Sequence, residues 1–86
     1  MNTATLEFPC AYPLKVMGRD NQQFRSVVRT IVERHIGPVP DSVVTSRASS
    51  EGHFLALTFA ITAESRAQLD ALYRELSSCP EILVAL

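Results

Sequence analysis

The sequence predicts an α+β domain with the ferredoxin-like order β-α-β-β-α-β. Three observations lead to this class: stretches in which apolar residues alternate, stretches in which they recur at helical spacing, and breaks with glycine or proline between them. The fold is a two-layer sandwich, in which two helices cover one face of an antiparallel sheet with strand order 4-1-3-2. A chain of 86 residues forms one such domain. We therefore assign residues 1–86 to it, with residues 1–9 as a loose N-terminal lead-in.

The first predicted strand spans residues 12–17. Tyr12, Leu14 and Val16 occupy alternate positions, which is typical of a strand with one buried face. Pro13 has no backbone N–H, so we expect incomplete or bulged pairing there. The stretch Gly18-Arg19-Asp20 is predicted to be the loop that ends the strand.

The first predicted helix follows this loop. Asp20 is a suitable N-cap, and Gln23 three residues later completes a variant of the capping box. Gly37 ends the helix, because glycine is favoured at this position and the prolines at 38 and 40 prevent continuation. The residues that recur at helical spacing are Phe24, Val27, Val28, Ile31, Val32 and His35.

The middle of the chain predicts a β-hairpin. Its strands are residues 43–49 and 53–61, and Glu51-Gly52 is the turn that joins them. Thr62 is the predicted cap of the second helix, and Pro80 ends the connection to a final strand at residues 82–86. The apolar stripe of that helix comprises Leu69, Leu72, Tyr73 and Leu76.

The uncovered sheet face is a candidate interaction surface. It is predicted to be small and apolar at its centre, with Lys15 and Arg47 and no carboxylate, and an apolar face of this kind favours contact with another molecule. We expect its partner to be a second copy of this chain or another protein. The alternation places Pro13, Lys15, Met17, Val43, Thr45, Arg47, Phe54, Ala56, Thr58, Ala60, Leu83 and Ala85 on this face. The candidate interface residues are Lys15, Met17, Arg47, Phe54, Ala56 and Thr58.

The loop Gly18-Arg19-Asp20 is a candidate site for a small anionic ligand such as an amino acid. A helix N-terminus presents free N–H groups, Gly18 permits close approach of a ligand, and Arg19 supplies a counter-ion. The alternative interpretation is a plain turn followed by an N-cap.

Catalysis is the alternative to binding. Acylphosphatases share this topology, and Phe24-Arg25 after the glycine loop is similar to their phosphate motif, although Asp20 is unfavourable beside a phosphate. His53 and Cys79 are predicted at one end of the fold, without a third ligand or an orienting carboxylate. Cys10 is predicted at the opposite end, so no disulfide joins the two cysteines. We assign no catalytic residue, no metal and no cofactor.

Nucleic acids and membranes are not expected partners. The net charge is −1 and the basic residues form no run. An RNA-recognition domain would stack bases on aromatic residues of the open face, where only Phe54 is available. No apolar run approaches a membrane span and residues 1–5 lack the features of a signal peptide, so a cytoplasmic location is expected.

Several segments resemble the YbeD family of small, functionally uncharacterised bacterial proteins. The resemblance extends from about Leu6 to Leu86, and it implies a ferredoxin-like fold similar to the ACT-type regulatory domains that sense amino acids. Some members lie beside lipoate-synthesis genes, so the resemblance implies a small regulatory or adaptor module linked to lipoate metabolism. The segments that carry it are Leu6-Glu7-Phe8-Pro9, Tyr12-Pro13-Leu14-Lys15-Val16-Met17-Gly18, Ser49-Ser50-Glu51-Gly52 and Leu72-Tyr73-Arg74-Glu75-Leu76.

Overall fold

The computed structural model describes residues 7–86 and confirms the predicted order of elements. Residues 1–6 of the predicted lead-in lie outside the described residues, so the assignment of residues 1–86 to a single domain stays a prediction. The strands pair antiparallel in the order β2-β3-β1-β4, which is the predicted order read from the other edge. The elements are β1 (Cys10–Arg19), α1 (Gln22–Ile36), a 3-10 turn (Asp41–Val43), β2 (Val44–Ala48), β3 (Phe54–Ala63), α2 (Arg66–Ser77) and β4 (Ile82–Ala85).

Strands β1 and β3 form the centre of the sheet and are longer than predicted. Their register is unbroken from Cys10 opposite Ala63 to Arg19 opposite Phe54. Gly18 and Arg19 therefore belong to β1, and the prediction that they form a loop is wrong. The reason is that Phe54 and its neighbours in β3 continue the pairing to this point.

Pro13 does not interrupt the sheet, so the predicted bulge at this position is wrong. It lies opposite Ala60 in regular register. Lys15 exchanges two backbone hydrogen bonds with Leu86 on the β4 side, and Pro13, two residues away, faces that same side beyond the end of the pairing. Its missing N–H therefore removes no ladder hydrogen bond.

Both helix caps differ from the prediction. The Asn21 side chain accepts a hydrogen bond from the Phe24 N–H at 2.7 Å and caps α1, because the chain leaves β1 later than expected. Ser65 caps α2, since Thr62 is still paired within β3.

The hydrophobic core lies between the helices and one face of the sheet. Both helices direct buried apolar residues toward β1 and β3, and the carboxylate of Glu75 joins α2 to α1 by contacting Arg34 and His35. Within the described residues, no helix is long and apolar enough to cross a membrane. The largest fully buried side chains are those of Phe24, Phe59, Leu14, Leu72, Leu76, Val16, Val28 and Val32.

Strand β4 contains a register shift that changes which side chains face the core. Ala85 lies opposite Val16 and packs against the core, whereas Val84 lies opposite Met17. The predicted place of Ala85 on the open face is wrong, because one extra residue at the shift reverses the alternation. Val43 likewise packs against the core from the 3-10 turn.

Candidate functional site

The sheet face away from the helices is the candidate site, and we call it the open face. No helix or loop among residues 7–86 packs over it. Residues that lie directly opposite one another on antiparallel strands share a face, so the register defines its membership. The open face comprises Ala11, Pro13, Lys15, Met17, Arg19, Thr45, Arg47, Phe54, Ala56, Thr58, Ala60, Thr62 and Val84.

The centre of the open face is apolar and slightly concave. One row across the four strands consists of Arg47, Ala56, Met17 and Val84. Because Ala56 is small, a shallow pocket of about 270 Å³ forms around it, with Phe54 at one end. The ring of Phe54 and the side chain of Val84 are each 41% exposed, so large apolar surface is available in the free chain.

Three cations lie at or near this centre without ion-pair partners among the described residues. Of the eight Lys and Arg residues in the chain, Arg25, Arg29, Arg34 and Arg66 lie within 4.0 Å of a carboxylate. Among the described residues, no such ion pair involves Lys15, Arg19 or Arg47, all on the open face, or Arg74 on α2. The open face itself has no Asp or Glu, and Arg19 at its end also lines a small concavity with Glu81, without forming an ion pair with it.

The guanidinium of Arg19 is held over a neighbouring aromatic ring. Its carbon atom Cζ lies 5.7 Å from the centroid of the Phe54 ring, directly across from it on β3. A cation in this position is attracted by the ring quadrupole. This contact favours one position of the Arg19 side chain before any partner binds.

The predicted interface residues come together in the structure. Lys15, Met17, Arg47, Phe54 and Ala56 all line the central pocket, and Thr58 lies beside Lys15. Their role in binding stays a prediction. Sequence reasoning did not place Arg19 or Val84 here, and the signal for Arg19 was its two-residue spacing from Met17 along the strand.

The predicted ligand residues Gly18, Arg19 and Asp20 do not converge. A Cβ atom on Gly18 would lie 2.4 Å from ring atoms of Phe24, so this position faces the core. Arg19 faces the opposite side of the sheet, and Asp20 accepts a hydrogen bond from Arg25 at 2.7 Å. Binding of an anion at this loop stays a hypothesis, but each residue has another structural role.

The two cysteines lie at opposite ends of β1, whereas His53 and Cys79 lie at the same end, as predicted, near Asp20 and Ile82 respectively. Cys10 is the first residue of β1. Cys79 lies three residues before Ile82, which pairs with Gly18 near the last residue of β1. Both cysteines are free thiols. Cys79 lines a groove between the helices, whereas His53 is exposed beside Glu51 in the hairpin turn. Among residues 7–86, no cluster of three metal-ligating side chains occurs.

Two larger concavities lie on the helical side. One, of about 400 Å³, separates α1 from α2, and its cation Arg34 is paired with Glu75. The other, of about 320 Å³, lies between α1 and β2, where Arg29 is paired with Asp41. The cations of both concavities are thus already neutralised, unlike those of the open face.

Comparison with known proteins identifies similar bacterial chains. Residues 3–86 match the family described as "Protein of unknown function (DUF493)". A "UPF0250 protein" from Paraburkholderia phytofirmans is 38% identical over all of this chain and 97% of its own length. Proteins of the same description from Chromobacterium violaceum (40% identity, 93% of this chain and 90% of theirs) and Leptothrix cholodnii (42%, 94% and 89%) are similar.

One solved structure shares the fold. The C-terminal domain of the MgtC protein from Mycobacterium tuberculosis superimposes with a TM-score of 0.63, covering 95% of this chain and 89% of that domain. The two sequences are 18% identical, so the similarity concerns the fold alone.

Proposed function

The chain belongs to the DUF493 family of proteins of unknown function, also described as UPF0250 and identical with the YbeD family, and we propose that it is a small regulatory or adaptor module that binds another protein across the open face. This membership confirms the resemblance predicted from the sequence. The observation that carries the proposal is the apolar centre around Ala56, with Lys15 and Arg47 at its border, Arg19 nearby on the same face, and no ion pair to any of the three among the described residues.

The shape of the open face favours a protein over a small ligand. Small-molecule sites enclose most of the ligand and usually have volumes of roughly 300–1,000 Å³. The pocket around Ala56, of about 270 Å³, is near the lower end of this range and is shallow and open, so it would not enclose a small ligand. It suits one side chain of a larger partner, with Phe54 and Val84 adding apolar contact area.

The energetics favour binding of a partner at low structural cost. Side chains on the open face contribute little to the core. Because Phe54 and Val84 are still partly exposed in the folded chain, their apolar surface and that of Met17 can be buried against a partner, which favours binding. The neighbouring lipoate-synthesis genes of some family members give the proposal a finer form, in which the bound protein acts in lipoate metabolism.

Site-specific photo-crosslinking in the source bacterium tests the proposal. A photoreactive side chain at Ala56 is expected to form a defined covalent adduct with one partner protein. The same group at Asp70, an exposed position of α2, is the matched control and is expected to form none. The partner is then identified by mass spectrometry and its binding reproduced with the purified proteins.

Two outcomes contradict the proposal. The first is the absence of any adduct from position 56 when circular dichroism shows a folded chain. The second is the same set of adducts from positions 56 and 70, which would mean that the open face has no preference over the helical side.

A further inference from the structure

The charge of the open face specifies the chemistry of what covers it. From its geometry we infer that the partner presents an acidic segment, in which one apolar side chain enters the pocket at Ala56 between carboxylates that reach Lys15, Arg19 and Arg47. This inference rests on the proposed function and adds the class of partner to it.

Two of the three cations line the pocket and the third lies at one end of the same face. Lys15 and Arg47 border the pocket, whereas Arg19 lies opposite Phe54. Neighbouring strands lie about 4.8 Å apart, and residues two positions apart along a strand are separated by about 6.7 Å. From the register, the Cα atoms of Lys15, Arg19 and Arg47 are therefore about 12 to 13 Å from one another, with Met17 and Ala56 between them. Carboxylates four residues apart on an extended segment have a similar separation of about 13 Å, and the side chain midway between them lies on the same side.

The same cations disfavour a second copy of the chain as the occupant. Two open faces packed symmetrically would bring six cations together without a carboxylate between them, and like charges across an interface oppose association. The whole chain has a net charge of −1, so the part outside these three cations carries −4. The open face is thus the positive side of a chain that is otherwise acidic.

A protein segment also fits better than a nucleic acid. Single-stranded nucleic acids combine a basic groove with several aromatic side chains on which bases stack. The open face offers one aromatic residue, Phe54, and its ring is already covered on one side by Arg19. A single apolar side chain between carboxylates uses the pocket and all three cations.

Titration of the isotopically labelled full chain with a short peptide tests this inference. The peptide carries a central leucine with two glutamates on each side, and its control carries glutamines instead. We expect the glutamate peptide to shift the amide resonances of Met17, Arg19 and Ala56, and to bind at least about tenfold more tightly than the control. Raising the salt from about 50 mM to about 200 mM is expected to weaken its binding several-fold.

Charge-reversal variants separate the local effect from net charge. Arg19→Glu and Arg47→Glu are each expected to weaken binding of the glutamate peptide about three- to tenfold. Arg74→Glu makes the same change in net charge on α2, away from the open face, and is expected to change the affinity less than about twofold. Circular dichroism of each variant verifies that the chain is folded.

Several results would overturn the inference. These are failure of the glutamate peptide to bind, equal affinity for the two peptides, an Arg74→Glu effect as large as that of Arg47→Glu, or tighter binding of a single-stranded oligonucleotide than of the peptide. An Ala56 adduct with a second copy of the chain would also overturn it. If position 56 still forms a specific adduct with a different protein while one of the peptide, variant or oligonucleotide results occurs, the proposed function stands and only the partner class is wrong.

Discussion

The two faces of strand β3 differ in exposure because the helices cover only one of them. In β3, Leu55, Leu57 and Phe59 are at most 5% exposed, whereas Phe54, on the opposite face of the same strand, is 41% exposed. The residues have similar apolar character and share one backbone. What differs is the cover, because the helices lie on one face only.

The distribution of charge follows the same division. On the helical side and in the loops, Arg25, Arg29 and Arg34 each have a carboxylate within ion-pairing distance. On the open face, the described residues supply no carboxylate to Lys15, Arg19 or Arg47. The first set of charges is paired within the chain, whereas the second has no ion pair among the described residues.

The largest expected effect comes from the covered face of β3. Phe59→Ala removes a ring that is 1% exposed, and deletion of a buried phenylalanine typically costs about 3–5 kcal/mol through lost burial and the cavity left behind. Since a domain of this size is stabilised by only roughly 5–10 kcal/mol, we expect a large fall in the urea midpoint followed by circular dichroism.

The matched variant on the open face is Phe54→Ala. Its ring is partly exposed, so we expect a loss of stability below about 1 kcal/mol together with loss of partner binding. Comparable losses of stability from Phe54→Ala and Phe59→Ala would break the comparison between the faces.

An intermediate effect is expected where β1 crosses the core. In Gly18→Ala the new Cβ would lie 2.4 Å from the Phe24 ring and 2.7 Å from the carbonyl oxygen of Glu81, so neighbouring atoms have to move. Overpacking of this kind costs about 1–3 kcal/mol. Urea denaturation measures the loss.

The double variant Gly18→Ala/Phe24→Leu sharpens this test. The shorter side chain removes the ring contact, so adding Gly18→Ala is expected to cost less in the Phe24→Leu chain than in the natural one. An unchanged cost would mean that the Glu81 backbone, rather than the ring, limits this position.

The smallest effect concerns a tyrosine pair at the edge of the covered face. Burial raises the pKa of Tyr73, and a 3.1 Å hydrogen bond between its hydroxyl and that of Tyr12 raises it further. In the unfolded chain a tyrosine titrates near pH 10. Because the unfolded chain loses this proton first, stability is full below about pH 10 and falls as the pH rises above it.

Tyr12→Phe separates the two causes. Burial, the larger one, remains, so the pKa of Tyr73 is expected to stay above its usual value but to lie below that in the natural chain. Phenolate absorbance during alkaline titration measures the pKa, and urea midpoints at about pH 9 and about pH 11 measure the stability. A Tyr73 pKa that returns to the usual value would show that the hydrogen bond alone had raised it.

Much of the fold is predictable because its signals are local. The period-two pattern of Leu55, Leu57 and Phe59 identifies β3 and its buried face without knowledge of the partner strands. The cap of α1 is harder, since Asp20 and Asn21 are both good capping residues. The choice between them depends on how far β1 continues to pair with β3.

The candidate site is less predictable because it is assembled from four strands. Met17 and Ala56 are far apart in sequence, and only the register places them side by side. The register shift in β4 moves Val84 onto the open face and Ala85 into the core. The residue pattern of β4 does not predict this shift.

The sequence by itself determined the α+β class, the order of the elements, the family and most residues of the open face, because apolar periodicity and short motifs are properties of neighbouring residues. Only the tertiary structure decided that Gly18 faces the core, that Arg19 lies over Phe54, and that Lys15 and Arg47 line one small pocket. Those relations arise from strand register and from ion pairing elsewhere in the chain, which join residues distant in sequence.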